Sequence, residues 1–302
     1  MITVFGSINM DLIATTPRLP KPGETVAGTD FATAAGGKGA NQALAARRAG
    51  SAVRMVGAVG QDEFAGPALA MLEEAGVDLV GVQHIQGPTG TALILVGGDG
   101  ENMITVVPGA NGMNRESDAA AAVAAMQQGD FLMLQLEVPA AGVERALADA
   151  RSRGASSILN IAPLTDDAVR LGQMADIVIA NETEFELYAG RGAIGMQERE
   201  EALMQLHRKT GQTLIVTLGA EGVIAVRNSM LHRTKGLAIR PVDTVGAGDT
   251  FCGYLAASLD QGIDFEAALR RAAVAGSLAC LQHGAQPSIP SADEVEQHLG
   301  QV

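Results

Sequence analysis

Residues 131–160 read FLMLQLEVPAAGVERALADARSRGASSILN. Phe131–Leu134 is a short apolar run of the kind buried in a parallel sheet. Beyond Pro139, helical spacing runs from Ala140 to Arg153, and Gly154 stands where a left-handed residue ends a helix. Ser157–Asn160 then forms a second strand. Strand, helix and strand in so little chain make a crossover unit that leaves the two strands parallel.

The same rhythm extends in both directions. Further strands are expected at Ile2–Phe5, Val53–Ala58, Ile177–Ala180 and Leu214–Thr217. Helices are expected at Ala40–Ala49, Glu63–Glu74, Glu116–Gln128 and Gln197–Lys209, with Gly50, Gly76, Gly129 and Gly211 at their ends. From Val242 onward the pattern is helical, over Asp249–Asp260, Phe265–Leu281 and a last helix near Asp293–Leu299. Two regions interrupt the rhythm: Leu12–Thr16 with Glu24–Ala32, and Thr91–Val96 with Met103–Val107. They read as short antiparallel strands, either a small β lid inserted at about 12–32 and 91–107 of a single domain spanning 1–302 or ordinary surface hairpins.

Bulk properties exclude several classes. Apolar residues make up 47% of the 302 and charged residues 18%, which rules out intrinsic disorder. No apolar stretch approaches the roughly eighteen residues of a membrane span, and the N-terminus reads as a strand rather than a signal peptide. A cytoplasmic protein is expected. A net charge of −13 with no Trp speaks against nucleic acid as a partner. Cys252 and Cys280 form no pairing framework and read as core residues, and the five histidines show no metal-ligand spacing.

Chemistry concentrates in a few strings. In Asp243-Thr244-Val245-Gly246-Ala247-Gly248-Asp249-Thr250-Phe251, small residues leave backbone N–H groups uncovered at a helix start, where unpaired donors and the helix dipole favour an anion. Asp249 at that start can take a proton from an attacking hydroxyl while the amides bear negative charge. An N-capped tight turn is the structural alternative. Gly36-Gly37-Lys38-Gly39-Ala40-Asn41-Gln42-Ala43 lets backbone approach a ligand, or is a glycine turn with a solvated lysine. Asn9 and Asp11, two apart at the end of the first strand, can clamp vicinal hydroxyls or cap a turn. Asn181-Glu182-Thr183-Glu184 follows a strand and reads equally as a helix start with acids at the positive dipole end. Thr217-Leu218-Gly219-Ala220-Glu221-Gly222 ends another strand, or turns a hairpin before Val223–Val226.

The string at 243–251 resembles the C-terminal signature of the ribokinase family, also called the phosphofructokinase-B family, and residues 36–43 match that family's G-G-K-G-A-N-Q-A string at every position. No G-x-x-x-x-G-K-[ST], H-R-D or D-F-G string of other phosphotransferases occurs. The resemblance runs from the first strand to Ser288 with the motifs in family order. It implies an α/β fold, a three-layer α/β/α arrangement with a central mostly parallel sheet and a small β lid. It also implies transfer of the ATP γ-phosphoryl group to a primary sugar hydroxyl, giving D-ribose 5-phosphate if ribose is the substrate.

By that resemblance Asp249 is the base, Gly246, Ala247 and Gly248 form the anion hole, and Asn9, Asp11, Gly37, Lys38, Gly39, Asn41, Glu137 and Asp249 contact the sugar. Asn181, Glu184, Thr217, Gly219, Gly222 and Gly248 serve the nucleotide, with Glu184 reaching Mg²⁺ through water. Asp243, Val245, Ala279, Gln282, Gly284 and Ser288 match the family's K⁺ ligands, and a homodimer through the lid is implied. One departure stands out: Ala273 occupies a position where the family often has a polar residue near the nucleotide. A kinase for another sugar or a nucleoside, and a regulator that binds without turnover, remain open. An intact Asp249 beside Gly-Ala-Gly speaks against the regulator.

Overall fold

Alternate residues of each central strand enter different cores, as the two-residue period of a strand requires. Ile2, Val4, Met133, Ile158, Ile177, Ile179 and Ile215 lie on one side, and Phe5, Leu132, Leu134, Leu159, Val178, Leu214 and Val216 on the other. A sheet apolar on both faces must be covered on both, which makes three layers.

The structure, a computed structural model, describes residues 1–301. Its strands are β1 (Ile2–Phe5), β2 (Asn9–Thr15), β3 (Asp30–Gly36), β4 (Val53–Gly60), β5 (Asp78–Ile85), β6 (Gly90–Val96), β7 (Asn102–Val107), β8 (Phe131–Leu134), β9 (Ser156–Asn160), β10 (Ile177–Asn181), β11 (Thr213–Thr217), β12 (Val223–Arg227) and β13 (Met230–Thr234). Its α-helices are α1 (Lys38–Arg48), α2 (Ala65–Glu74), α3 (Glu116–Ala124), α4 (Ala140–Arg153), α5 (Ala168–Gly172), α6 (Glu182–Tyr188), α7 (Met196–Thr210), α8 (Ala247–Asp260), α9 (Phe265–Ala279), α10 (Ala285–Ser288) and α11 (Ala292–His298). Helices α1, α2, α8 and α9 pack on one face of the large sheet, and α3 to α7 on the other.

The large sheet has the order β13-β12-β11-β10-β9-β8-β1-β4-β5, and its strands run parallel except for β12, which is antiparallel to both its neighbours. From β1 the chain winds outward through β4 and β5, then returns to the other side of β1 and winds through β8 to β11. The reversal between β1 and β8 is a topological switch point, where ligands bind beyond the carboxyl ends of parallel strands. A second sheet, in the order β3-β2-β6-β7, rises from that end. The three-layer architecture expected from the sequence is present, with a smaller sheet beside it.

Several boundaries differ from expectation. The strand placed at Glu24–Ala32 is instead Asp30–Gly36. Pro17, Pro20 and Pro22 lack ladder donors, and Glu24 accepts from Arg18 (2.6 Å) and the Lys21 amide (3.0 Å), which holds 17–24 as a loop. The first strand ends at Phe5, so Asn9 and Asp11 open β2 rather than close β1. Helix α3 stops at Ala124, short of Gln128, and α9 at Ala279, short of Leu281. The edge strand β5 was not expected; its residues are half-exposed or exposed, and Gly81 breaks their pattern where the chain crosses Val56 closely. Cys252 is buried as expected, but Cys280 is only half-buried.

Candidate active site

Parallel strands deliver their carboxyl ends to one edge of the sheet, and each site segment begins there. Ser7 and Asn9 follow β1, Gln135 and Glu137 follow β8, Asn160 closes β9, Asn181 closes β10 and Thr217 closes β11. Helix α1 enters from the small sheet and α8 from the C-terminal region.

Asp249 lies in the first turn of α8 and is buried. Asn41 Nδ2 donates to its Oδ2 at 3.0 Å, and Gln42 Nε2 donates to its Oδ1 at 3.0 Å. Each carboxylate oxygen is thus anchored from α1. The carboxylate faces a cavity of about 200 Å³ shared with Lys38, Asn181, Glu184, Thr217 and Gly248. Asn41 Oδ1 is buried without a hydrogen-bond partner, an acceptor suited to a ligand hydroxyl.

The turn before α8 is built for its glycines. Gly246 has φ +77°, and a Cβ there would lie 2.9 Å from Ala285 Cα. Of the three residues expected to offer amides, Ala247 uses its N–H on the Thr244 carbonyl at 3.3 Å. Gly248 and Asp249 fall among the first N–H groups of α8, which have no intrahelical acceptor, and the space beside Gly248 is open. Ala247 thus has its amide engaged within the turn, while those of Gly248 and Asp249 have no acceptor in the helix.

The 36–43 string does two separate things. Gly37 and Gly39 make room for the chain: a Cβ would lie 2.7 Å from the Asn9 nitrogen and 2.6 Å from the Ser7 nitrogen respectively. Lys38 lines the same cavity as Asp249, and its ammonium is held above the usual lysine range by Asp249 first, then by Glu137 and Glu184, against the opposing effect of burial. Glu137 Oε2 accepts from Ser7 Oγ (2.5 Å) and the Lys38 amide (3.0 Å), so this acid, read as a sugar contact, already clasps the glycine turn.

Asn9 and Asp11 stand at the root of the small sheet. Asn9 Oδ1 accepts from Asn111 Nδ2 at 2.7 Å, and Asn111 also exchanges hydrogen bonds with the Ile8 backbone. Asn111 was missed in the sequence, although Pro-Gly-Ala-Asn at 108–111 marks a turn. Burial pushes the Asp11 carboxyl up to about 7, aided by the negative charges of Glu137 and Asp249.

At the end of β10, Asn181 and Glu184 form a reciprocal capping box on α6: each side chain accepts from the other's amide at 2.8 Å. Burial raises the Glu184 carboxyl, and its nearness to Lys38 opposes the rise. Thr217 joins the cavity; Gly219 is exposed in the next turn, and Gly222 packs on β13, where a Cβ would meet the Thr234 carbonyl. Ala273 is buried within α9, so it presents no polar group.

The loop at 242–246 and the turn at 284–285 are stitched together. Asp243 accepts from the Val245 amide (3.0 Å) and the Gly284 amide (2.9 Å), and the Cys280 carbonyl accepts from Val242 and Asp243. Ala279 and Gln282 flank that carbonyl in the chain. Ser288 is buried, and its hydroxyl donates to Ala285 O at 2.9 Å, which leaves its lone pairs free. Hard oxygen donors are therefore present around this junction, the chemistry an alkali cation takes. Among the described residues no three His, Cys, Asp or Glu side chains converge as a divalent cage. Lone Glu184 fits instead an ion that keeps its waters and is held by phosphates.

The family model for pfkB family carbohydrate kinases matches residues 1–292. The chain belongs to the pfkB carbohydrate kinase family. Sugar phosphorylation at the expense of ATP is the chemistry of that family. A ribokinase of Bacillus subtilis is 38% identical over 99% of this chain and 99% of its own. A deoxyribokinase of Salmonella typhi is 32% identical over 99% and 98%. The solved structure of an Arabidopsis thaliana ribokinase, complexed with ribose and ATP, superposes with a TM-score of 0.87 at 31% identity, covering 99% of this chain and 98% of that one. No helix among the described residues is long and apolar enough to cross a membrane.

Proposed function

We propose that the chain is a ribokinase that transfers the γ-phosphoryl group of ATP to the primary hydroxyl of D-ribose, giving D-ribose 5-phosphate and ADP. The observation that carries this reading is Asp249, anchored by Asn41 and Gln42 and facing a cavity that also holds Lys38 and the first-turn amides of α8. The sugar's hydroxyl oxygen attacks the γ-phosphorus, its proton passes to Asp249, and ADP leaves with the bridging oxygen. The amides of Gly248 and Asp249 and the Lys38 ammonium offset charge on the transferring group. Asp11, Asn9 and Asn41 Oδ1 hold the sugar. Gly37 and Gly39 shape that pocket through their backbone, and Glu137 fixes its turn.

Asn181, Glu184, Thr217 and the turn at Gly219 and Gly222 border the nucleotide. Mg²⁺, carried in with ATP and reached from Glu184 through water, supplies further neutralisation of phosphate charge. Asp243, Val245, Ala279, Gln282, Gly284 and Ser288 would hold K⁺ beside the anion-binding turn and stiffen it. The small sheet supports a homodimer: Phe31, Leu93, Met103 and Val107 share one face by strand register and are all exposed, with Phe31 at 65%.

A second reading, a kinase for deoxyribose, is favoured by the match to the Salmonella typhi deoxyribokinase. The experiment is a panel of pentoses, deoxyribose, hexoses and nucleosides with ATP, Mg²⁺ and K⁺, scored by phosphorylated product. D-ribose is expected to give the highest kcat/KM and a 5-phosphate. Preference for deoxyribose would establish the second reading, and sugar-independent ATP use alone would overturn both.

A further inference from the structure

Three amides beyond Asn41 are linked to Asp249, each from a different element, and of these Asn160 also lines the cavity. Gln42 comes from the second turn of α1, Gln135 follows β8 and Asn160 closes β9. Gln42 is 1% exposed and Gln135 0%, and Asn160 is also buried. Buried primary amides are kept only where hydrogen bonding makes them worth their desolvation.

Their directions follow from one fixed point. Asn160 Nδ2 donates to the backbone carbonyl of Ile179 at 3.2 Å, which cannot donate in return, so Asn160 Oδ1 must face Gln42. Gln42 therefore turns its NH₂ to both Asn160 Oδ1 (3.3 Å) and Asp249 Oδ1 (3.0 Å). Its remaining oxygen accepts from Gln135 Nε2 at 2.7 Å. Gln135 fits there because residue 6 is glycine: a Cβ on Gly6 would collide with Gln135 Oε1. The chain Gln135, Gln42, Asp249 has a single polarity, set by a main-chain carbonyl of the central sheet.

We infer that Gln42, backed by Gln135 and Asn160, is a positioning residue that fixes the plane of the Asp249 carboxylate relative to the cavity. Gln42 is buried and does not line the cavity, and it has no place among the proposed sugar or nucleotide contacts. It ties the proton acceptor on α8 to strands β8 and β9, which carry other site residues. Without it, Asp249 keeps only the Asn41 anchor, and Asn41 is also the residue offered to the sugar.

This inference rests on Asp249 as the proton acceptor, and the test separates the two. In Gln42→Met, which keeps the volume, kcat is expected to fall about 10- to 100-fold, since misplacing a reacting group by about 1 Å has that scale of effect. Sugar KM and calorimetric Kd are expected to stay within about threefold, a split that general loosening would not produce. Gln135→Met, which leaves Gln42 its two acceptors, is expected to lose about three- to tenfold in kcat, and this variant decides the matter should the first not fold. In an Asp249→Asn background Gln42→Met is expected to add less than about twofold, because residues acting through one group are not additive.

Wild-type kcat in both folded glutamine variants, with Asp249→Asn inactive, would overturn the positioning role and leave the base in place. Equal losses in the presence and absence of the Asp249 carboxylate would overturn it too. An active Asp249→Asn enzyme would instead remove the base on which the inference depends.

Discussion

Two carboxylates of one cleft are kept in opposite circumstances. Asp249, on the floor of the large sheet, has an amide donor on each oxygen. Asp11, at the root of the small sheet, is half-buried near Glu137 and Asp249, and its carboxyl is pushed up to about 7. A carboxylate already oriented by protein donors is ready for chemistry before substrate arrives. A crowded carboxyl that lacks such donors is satisfied only when a ligand brings hydroxyl groups to it. The contrast supports the proposed division, with proton transfer on the rigid floor and sugar capture at the small sheet.

The largest expected effect lies on the floor. Asp249→Asn is expected to lower kcat by at least about a hundredfold, measured by coupled ADP release, because the proton acceptor is lost. Near-normal turnover would erase the distinction between the two acids.

Asp11→Asn comes next and cuts the other way. Sugar KM is expected to rise by about tenfold or more with a smaller change in kcat, since a charge-assisted acceptor becomes a neutral amide. Ligand-free stability is expected to rise. Because the folded pKa lies above the unfolded one, the folded protein binds more protons between about pH 4 and 7, and Asp11 lowers stability as pH increases through that window. The variant is therefore expected to melt roughly 3–6 °C above the parent at pH 8 and with it at pH 4. For the parent, sugar affinity is expected to weaken by up to about tenfold per pH unit below 7, as the carboxyl takes up its proton. Equal melting temperatures at pH 8 would show that Asp11 is not held in the free site as described.

The smallest effect concerns the sheet that carries Asp11. Met103 is 53% exposed on β7, a strand whose residues are all exposed. Met103→Asp is expected to convert the proposed dimer to monomer in light scattering while kcat changes by less than about threefold, as the register puts Met103 on the face of the small sheet opposite Asp11. A monomeric parent would remove the dimer.

The floor was far more legible in the sequence than the small sheet. Parallel strands buried on both faces leave apolar runs such as Phe131–Leu134 and Ile177–Ala180, and glycines punctuate the helices between them. The small sheet has one exposed face and a proline-rich loop, so its strand at 30–36 shows no period that separates it from the loop before it. Asp249 and the glycine strings were readable because their chemistry lies in contiguous residues. Gln42, Gln135 and Asn160 were not, since each acquires meaning only beside segments distant in the chain. A polar amide directly after an apolar strand, as at Gln135 and Asn160, was the signal available. Asn181 and Glu184 both cap α6 and border the cavity, so the helix-start reading is met and the proposed nucleotide role is compatible with it.

Titration calorimetry of ribose into Asp249→Asn and Asp11→Asn, side by side at pH 8, tests the division of labour most directly. Ribose is expected to bind the first within about threefold of the parent and the second at least about tenfold more weakly. The reverse order, with affinity lost at Asp249 and kept at Asp11, would contradict it.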